Sequence, residues 1–125
     1  PKGSIHLNIG KPLTSEEIEA AARCDKNDRY QLIRHAVDLR VIEGYKLWKN
    51  NYIAYDILNH SFKYSDYYSP VDMEQFISYM TKKLDTVEPE INREDLRRIF
   101  LEIYANPVVT KELLAKEKAT GAILL

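Results

Sequence analysis

The chain has little of what organises small secreted, metal-binding or membrane-spanning proteins. Its one cysteine, Cys24, can form no internal disulfide and has no companions for a structural zinc site, which fits a reducing compartment and a buried or half-buried spectator thiol. Four glycines and five prolines among 125 residues argue against low complexity and disorder. No apolar run approaches the roughly 18–20 residues needed to cross a bilayer, and no signal-peptide pattern opens the chain. Charge of neither sign dominates. With 18 Lys and Arg against 19 Asp and Glu, the net charge of -1 supplies no field to gather a polyanion, so nucleic acid is not an expected partner.

What remains is the composition of an ordinary packed domain, 45% hydrophobic and 30% charged. A chain of this length buries roughly two-thirds of its unfolded surface. The most informative stretch is the first. Ile5, Leu7 and Ile9 alternate with Ser4, His6 and Asn8, the period of a half-buried strand, and Gly10 and Pro12 end the run. One strand cannot satisfy its own backbone, and nothing later in the chain matches it. The expected fold is therefore mostly α, a bundle of five or six helices behind a single strand, Ser4 to Ile9, orphaned from a parent sheet. On this reading residues 1–13 are the terminal strand and exit of a parent domain, residues 14–125 form a helical domain, and the opening at Pro1 marks a carboxy-terminal piece of a longer protein.

Helix signals follow in order. Thr14-Ser15-Glu16-Glu17 is a capping box, and the helix behind it should reach about Cys24. Asp25 to Asp28 reads as a turn or new cap, after which Tyr30, Ile33, Val37, Val41 and Tyr45 recur at helical spacing up to Trp48. Asn50-Asn51 interrupts, and Tyr52 to Asn59 continues as a short apolar helix. Ser69-Pro70, with Asp72, opens a helix whose stripe is Met73, Phe76, Ile77, Met80 and Leu84. Asn92 caps another with the stripe Leu96, Ile99, Phe100 and Ile103. Asn106-Pro107 should stop that helix and start a last one, ending near Gly121, beyond which the apolar Ala122 to Leu125 is docked or frayed.

Chemistry is thinly represented. His35 and Asp38 are an i,i+3 pair, best read as a surface hydrogen-bonding pair because two ligands make an incomplete metal site. No nucleophile elbow, phosphate-cradling glycine loop or His-Glu-x-x-His sequence occurs, and the carboxylates sit at caps or opposite bases on solvated helix faces. No catalytic, cofactor-binding or metal residue is expected. The nine tyrosines stand out, and Tyr64, Tyr67 and Tyr68 crowd one segment with Phe62 and Lys63. Aromatic rings with polar tips beside a cation suit a lipid headgroup layer or a partner surface. The plainer reading is a long loop pinned to the bundle by its own rings.

The run Ile5-His6-Leu7-Asn8-Ile9-Gly10-Lys11-Pro12-Leu13 resembles the strand and Gly-Lys-Pro-Leu exit that close the catalytic domain of glycerolipid acyltransferases. Tyr45 to Asp56, reading YKLWKNNYIAYD, and Ile103-Tyr104-Ala105-Asn106-Pro107 look like the carboxy-terminal extension of Bacteroides-type 1-acyl-glycerol-3-phosphate acyltransferases and their hemolysin-like relatives. The resemblance implies a parent that moves a fatty acyl group from an acyl carrier protein or coenzyme A thioester to a lysophospholipid or amino-lipid hydroxyl, in the cytoplasm at the inner membrane face. In that family a His and an Asp separated by four residues perform the transfer. Here Lys11, Arg40 and Ser65 stand five positions beyond His6, His35 and His60, so the pair is absent and no catalytic residue carries over. The implied role is a noncatalytic extension, structural or membrane-positioning, whose partners are an amino-terminal catalytic domain, a membrane surface reached through the parent and, through the orphan strand, a second copy. The alternative is an independent protein-interaction module.

Overall fold

The structure, a computed structural model, describes residues 3–120. Five α-helices carry it: α1 (Ser15–Ala22), α2 (Lys26–Glu43), α3 (Lys49–Asn59), α4 (Pro70–Leu84) and α5 (Arg93–Thr120), with a 3-10 turn at Ser65–Tyr67. The helical part of the expectation stands. The strand does not. Among the described residues there is no strand, and residues 3–14 form no regular element. The physical reason lies in the segment itself. Alternation shows which face a strand would bury, but a ladder needs a second backbone, and none is present among the described residues. Ile5, Leu7 and Ile9 are consequently 93%, 81% and 87% exposed.

Four of the five helices start where a nearby side chain accepts from the first free amides. Thr14 Oγ1 accepts from Glu17 N while Glu17 Oε1 accepts from Thr14 N, and Ser69 with Asp72 repeats that exchange at α4. Asp25 caps α2, and Asn92 Oδ1 accepts from the amides of Glu94 and Asp95. α2 stops before Gly44, earlier than the expected Trp48. Asn8 lies directly against that glycine, and a Cβ at position 44 would overlap the Asn8 side-chain amide. Trp48 instead precedes α3, its amide donating to Asn51 Oδ1 at 2.8 Å.

Two expected features of α5 are corrected. Pro107 neither ends nor restarts a helix, and α5 runs unbroken past it. The proline forfeits one hydrogen bond to the Ile103 carbonyl, a loss that burial of Leu101, Ala105 and Val108 outweighs. Those three positions also show that the buried stripe is rotated from the expected one, since Ile99 and Ile103 are exposed. The expected helix end near Gly121 and the apolar Ala122 to Leu125 lie outside the described residues.

The chain divides into two compact units: Pro1–Lys46 with Lys111–Leu125, and Leu47–Thr110. In the first, α1 packs on α2. Of the expected stripe, Ile33 is half-buried while Tyr30, Val37, Val41 and Tyr45 are exposed, and the half-buried Leu32 and Leu39 with the buried Ala36 make up the rest of the covered face. In the second, α3 packs on α4 and on the 3-10 turn, around a core of Ile53, Ala54, Phe76, Met80, Leu101 and Ala105. Phe76 meets the Tyr104 ring edge-on at 5.4 Å and lies 6.0 Å from Phe100.

Candidate functional site

The segment between α3 and α4, expected as an aromatic loop, is built around a carboxylate. Asp56 sits one turn before the end of α3 on the face that carries Ile53 and is 1% exposed. Its Oδ1 accepts from Ser61 Oγ at 2.8 Å, and its Oδ2 accepts from the Tyr68 hydroxyl at 2.7 Å and the Tyr64 amide at 3.1 Å. The Asp56 carbonyl also accepts from Ser61 N. One buried side chain thus fixes both ends of the loop. Burial raises the Tyr68 phenol to about 12, helped by its hydrogen bond to the Asp56 carboxylate and by that group's charge.

The loop's rings complete the arrangement. Tyr67 stacks on Tyr52 with centroids 4.5 Å apart, and Tyr64 meets Tyr55 edge-on at 5.2 Å. Burial, with Tyr67 as a lesser contributor, raises the Tyr52 phenol. Lys63 Nζ lies 5.5 Å from the Tyr64 centroid and 5.9 Å from that of Tyr55, within cation–π range. Of the five residues singled out from sequence, Tyr64 and Tyr68 turn inward, Tyr67 is covered on one face, and Lys63 is exposed above the rings. Phe62 is 81% exposed. His60 turns the chain out of α3 in the left-handed region, φ 51°, and lines an open cleft with Phe62, Met73 and Arg97.

Asp56 itself is not among the residues that sequence reasoning picks out. A signal for it exists, because it is the one charge within Tyr52 to Leu58, and Ser61, Tyr64 and Tyr68 follow as hydrogen-bonding partners. Its geometry is that of a structural clasp, with its oxygens engaged inside the fold.

The other histidines and the cysteine belong to the first unit. His35 makes no hydrogen bond to Asp38, correcting the expected surface pair, and its Nε2 is buried without a partner. It lines a cavity between α1 and α2. Cys24 is half-buried, with Sγ donating to the Ala20 carbonyl at 3.4 Å. Among the described residues, no cluster of three or more His, Cys, Asp or Glu could hold a metal ion, and no helix is long and apolar enough to cross a membrane. No protein-family model, curated protein or solved structure matches the chain.

Proposed function

We propose that the chain is the noncatalytic helical extension of an acyltransferase that transfers a fatty acyl group to a lysophospholipid or amino-lipid hydroxyl. The observation that carries this reading is the exposure of Ile5, Leu7 and Ile9. Three large aliphatic side chains stand in water within five residues, apolar surface that a neighbouring domain would cover, and each stands to gain about 1.5–3 kcal/mol from burial. The Lys11 carbonyl accepts from Arg40 Nε at 3.0 Å and ties the end of this segment to α2. The likeness of Ile5 to Leu13 to the exit of glycerolipid acyltransferase domains supplies the identity of that neighbour, and the parent would use an acyl-carrier-protein or coenzyme A thioester as co-substrate. Phe62, beside Lys63, is the side chain best placed to touch a membrane headgroup layer.

The test joins the chain to the sequence encoded upstream and measures acyl transfer from a thioester to a lysophospholipid. Ile5→Ser, Leu7→Ser and Ile9→Ser together should reduce transfer, as should deletion of residues 14–125. Transfer indifferent to both changes, or an upstream sequence without a His-x4-Asp pair, would sink the reading. The exposed apolar Tyr30, Val37 and Val41 of α2 favour the second reading, a protein-interaction module. That module would bind its partner through α2 whether or not Ile5, Leu7 and Ile9 were altered.

A further inference from the structure

The cavity between α1 and α2 has a volume of about 350 Å³, within the size range of small-molecule sites. Its walls are aliphatic: Leu13 from the segment before α1, Ala20 from α1, and Leu32, Ile33, Ala36 and Leu39 from α2. Two polar residues interrupt them, Glu17 and His35. Their situations differ. Glu17 is fully engaged: both carboxylate oxygens accept from the Arg40 guanidinium, whose Nη1 lies 3.0 Å from Oε2, and Oε1 also accepts from Thr14 N. Arg40 is equally committed, donating besides to the Lys11 and Ala36 carbonyls. His35 Nε2, by contrast, is buried with no hydrogen-bond partner. A buried nitrogen left unpaired is costly, and native folds rarely carry one without a reason.

We propose that this cavity binds a small neutral amphiphile, an aliphatic body bearing one hydroxyl group, with the hydroxyl pairing with the His35 imidazole. The aliphatic walls match the body of such a molecule, and the imidazole is the polar side chain of the lining with an unmet hydrogen bond. Nε2 is sealed from solvent as the ring stands, so the hydroxyl supplies that bond once the ring turns about χ2, a torsion with a broad minimum, and brings this nitrogen to the cavity wall. Charge decides against an ionised headgroup. Among the described residues no lysine or arginine lines the cavity, and Arg40, which pairs with the lining residue Glu17, is neutralised by it, so a carboxylate entering the cavity would lose its water and gain no free positive partner from the lining. The site is independent of the acyltransferase reading, since it lies wholly within residues 13–39.

The full chain is titrated with n-octanol and, separately, with octanoate at pH 7.5, following the His35 imidazole resonances and the methyl resonances of Leu32 and Leu39 by NMR. Octanol should bind saturably and move both sets, and octanoate should bind more weakly by about tenfold or more, the scale of one lost polar pairing. Ala20→Phe, at an exposed position on the cavity wall, should abolish binding without unfolding the chain. His35→Leu should weaken octanol binding about 5–10-fold, the worth of one hydrogen bond. No saturable binding by the folded chain, equal affinity for octanoate, or octanol binding that survives Ala20→Phe would each overturn the proposal. Should His35→Leu fail to fold, the Ala20→Phe and octanoate results still decide it.

Discussion

The two units of this chain achieve order by different means. Leu47–Thr110 closes around its own apolar side chains, with Ile53, Phe76, Met80 and Leu101 nearly sealed from water and a buried carboxylate holding the connecting loop. The described helices of the other unit share few buried residues, Ala21, Ala36 and Leu114, and leave Ile18, Tyr30, Val37 and Val41 in solvent. Alanines bury little area, so their contribution is small beside that of a phenylalanine. In their place stands a polar clamp, Arg40, which links Glu17 of α1, the Ala36 carbonyl of α2 and the Lys11 carbonyl. A unit with large buried side chains completes itself. One clamped by charge, with its aliphatic residues outward, has surface left for a ligand or a neighbouring domain.

The largest effect that would sharpen this contrast is in the second unit. Phe76→Ala removes the ring at the centre of the core and leaves a cavity among Phe100, Tyr104 and Met80, at a cost of about 3–5 kcal/mol. The matched substitutions in α2, Val37→Ala and Val41→Ala, should each stay within about 0.5 kcal/mol because both side chains are exposed. Urea denaturation followed by circular dichroism compares them directly. A loss of about 2 kcal/mol or more at Val37, on the order of a core deletion, would break the comparison by showing that the α2 face is already covered in the isolated chain.

Next in size is Asp56→Ala. It strands the Tyr68 hydroxyl, the Tyr64 amide and the Ser61 hydroxyl, of which the last can turn toward water most easily. The expected loss is about 2–4 kcal/mol. It should be accompanied by a fall of the Tyr68 phenol from about 12 toward the ordinary tyrosine value, read as ultraviolet absorbance during alkaline titration. An unchanged titration curve would mean that burial alone holds the phenol high and that the Asp56 hydrogen bond adds nothing to it.

How much of this can be read from the sequence differs between the units for the same physical reason. Caps depend on residues three apart, so Thr14 with Glu17, Ser69 with Asp72 and Asn92 with Asp95 are all legible. Burial depends on what lies opposite. α2 carries apolar residues on more than one side, and the sequence alone does not say that α1 covers Leu32, Ala36 and Leu39 in preference to Tyr30, Val37 and Val41. The same ambiguity rotates the α5 stripe. The strand pattern at Ile5 to Ile9 misleads for a related cause: periodicity specifies a face, while a sheet requires a partner backbone. Asp56 escapes notice because its partners lie 5, 8 and 12 residues away, beyond the reach of any local motif. Of the loop candidates, the clustering of Tyr64, Tyr67 and Tyr68 is visible in the sequence, but which rings turn inward is not.

The smallest effect concerns the clamp, and it has a pH signature that the apolar core lacks. The Arg40 guanidinium, followed by the Thr14 amide, holds the Glu17 carboxyl down at about 2, against an ordinary value near 4.5. A carboxyl that titrates lower in the fold than in the unfolded chain favours the fold when ionised. Its contribution is therefore fully present above about pH 4.5 and is lost progressively as the pH falls toward 2. The pair is partly exposed, so the effect is modest and shrinks as salt is raised. Glu17→Gln should lower stability at neutral pH and flatten the decline between about pH 4.5 and 2, with amide hydrogen exchange in α1 and α2 rising while that of Ile53 and Leu101 stays put. Equal acceleration in both regions would show that the clamp supports the whole chain, and the contrast between a charge-held and a core-held unit would then fail.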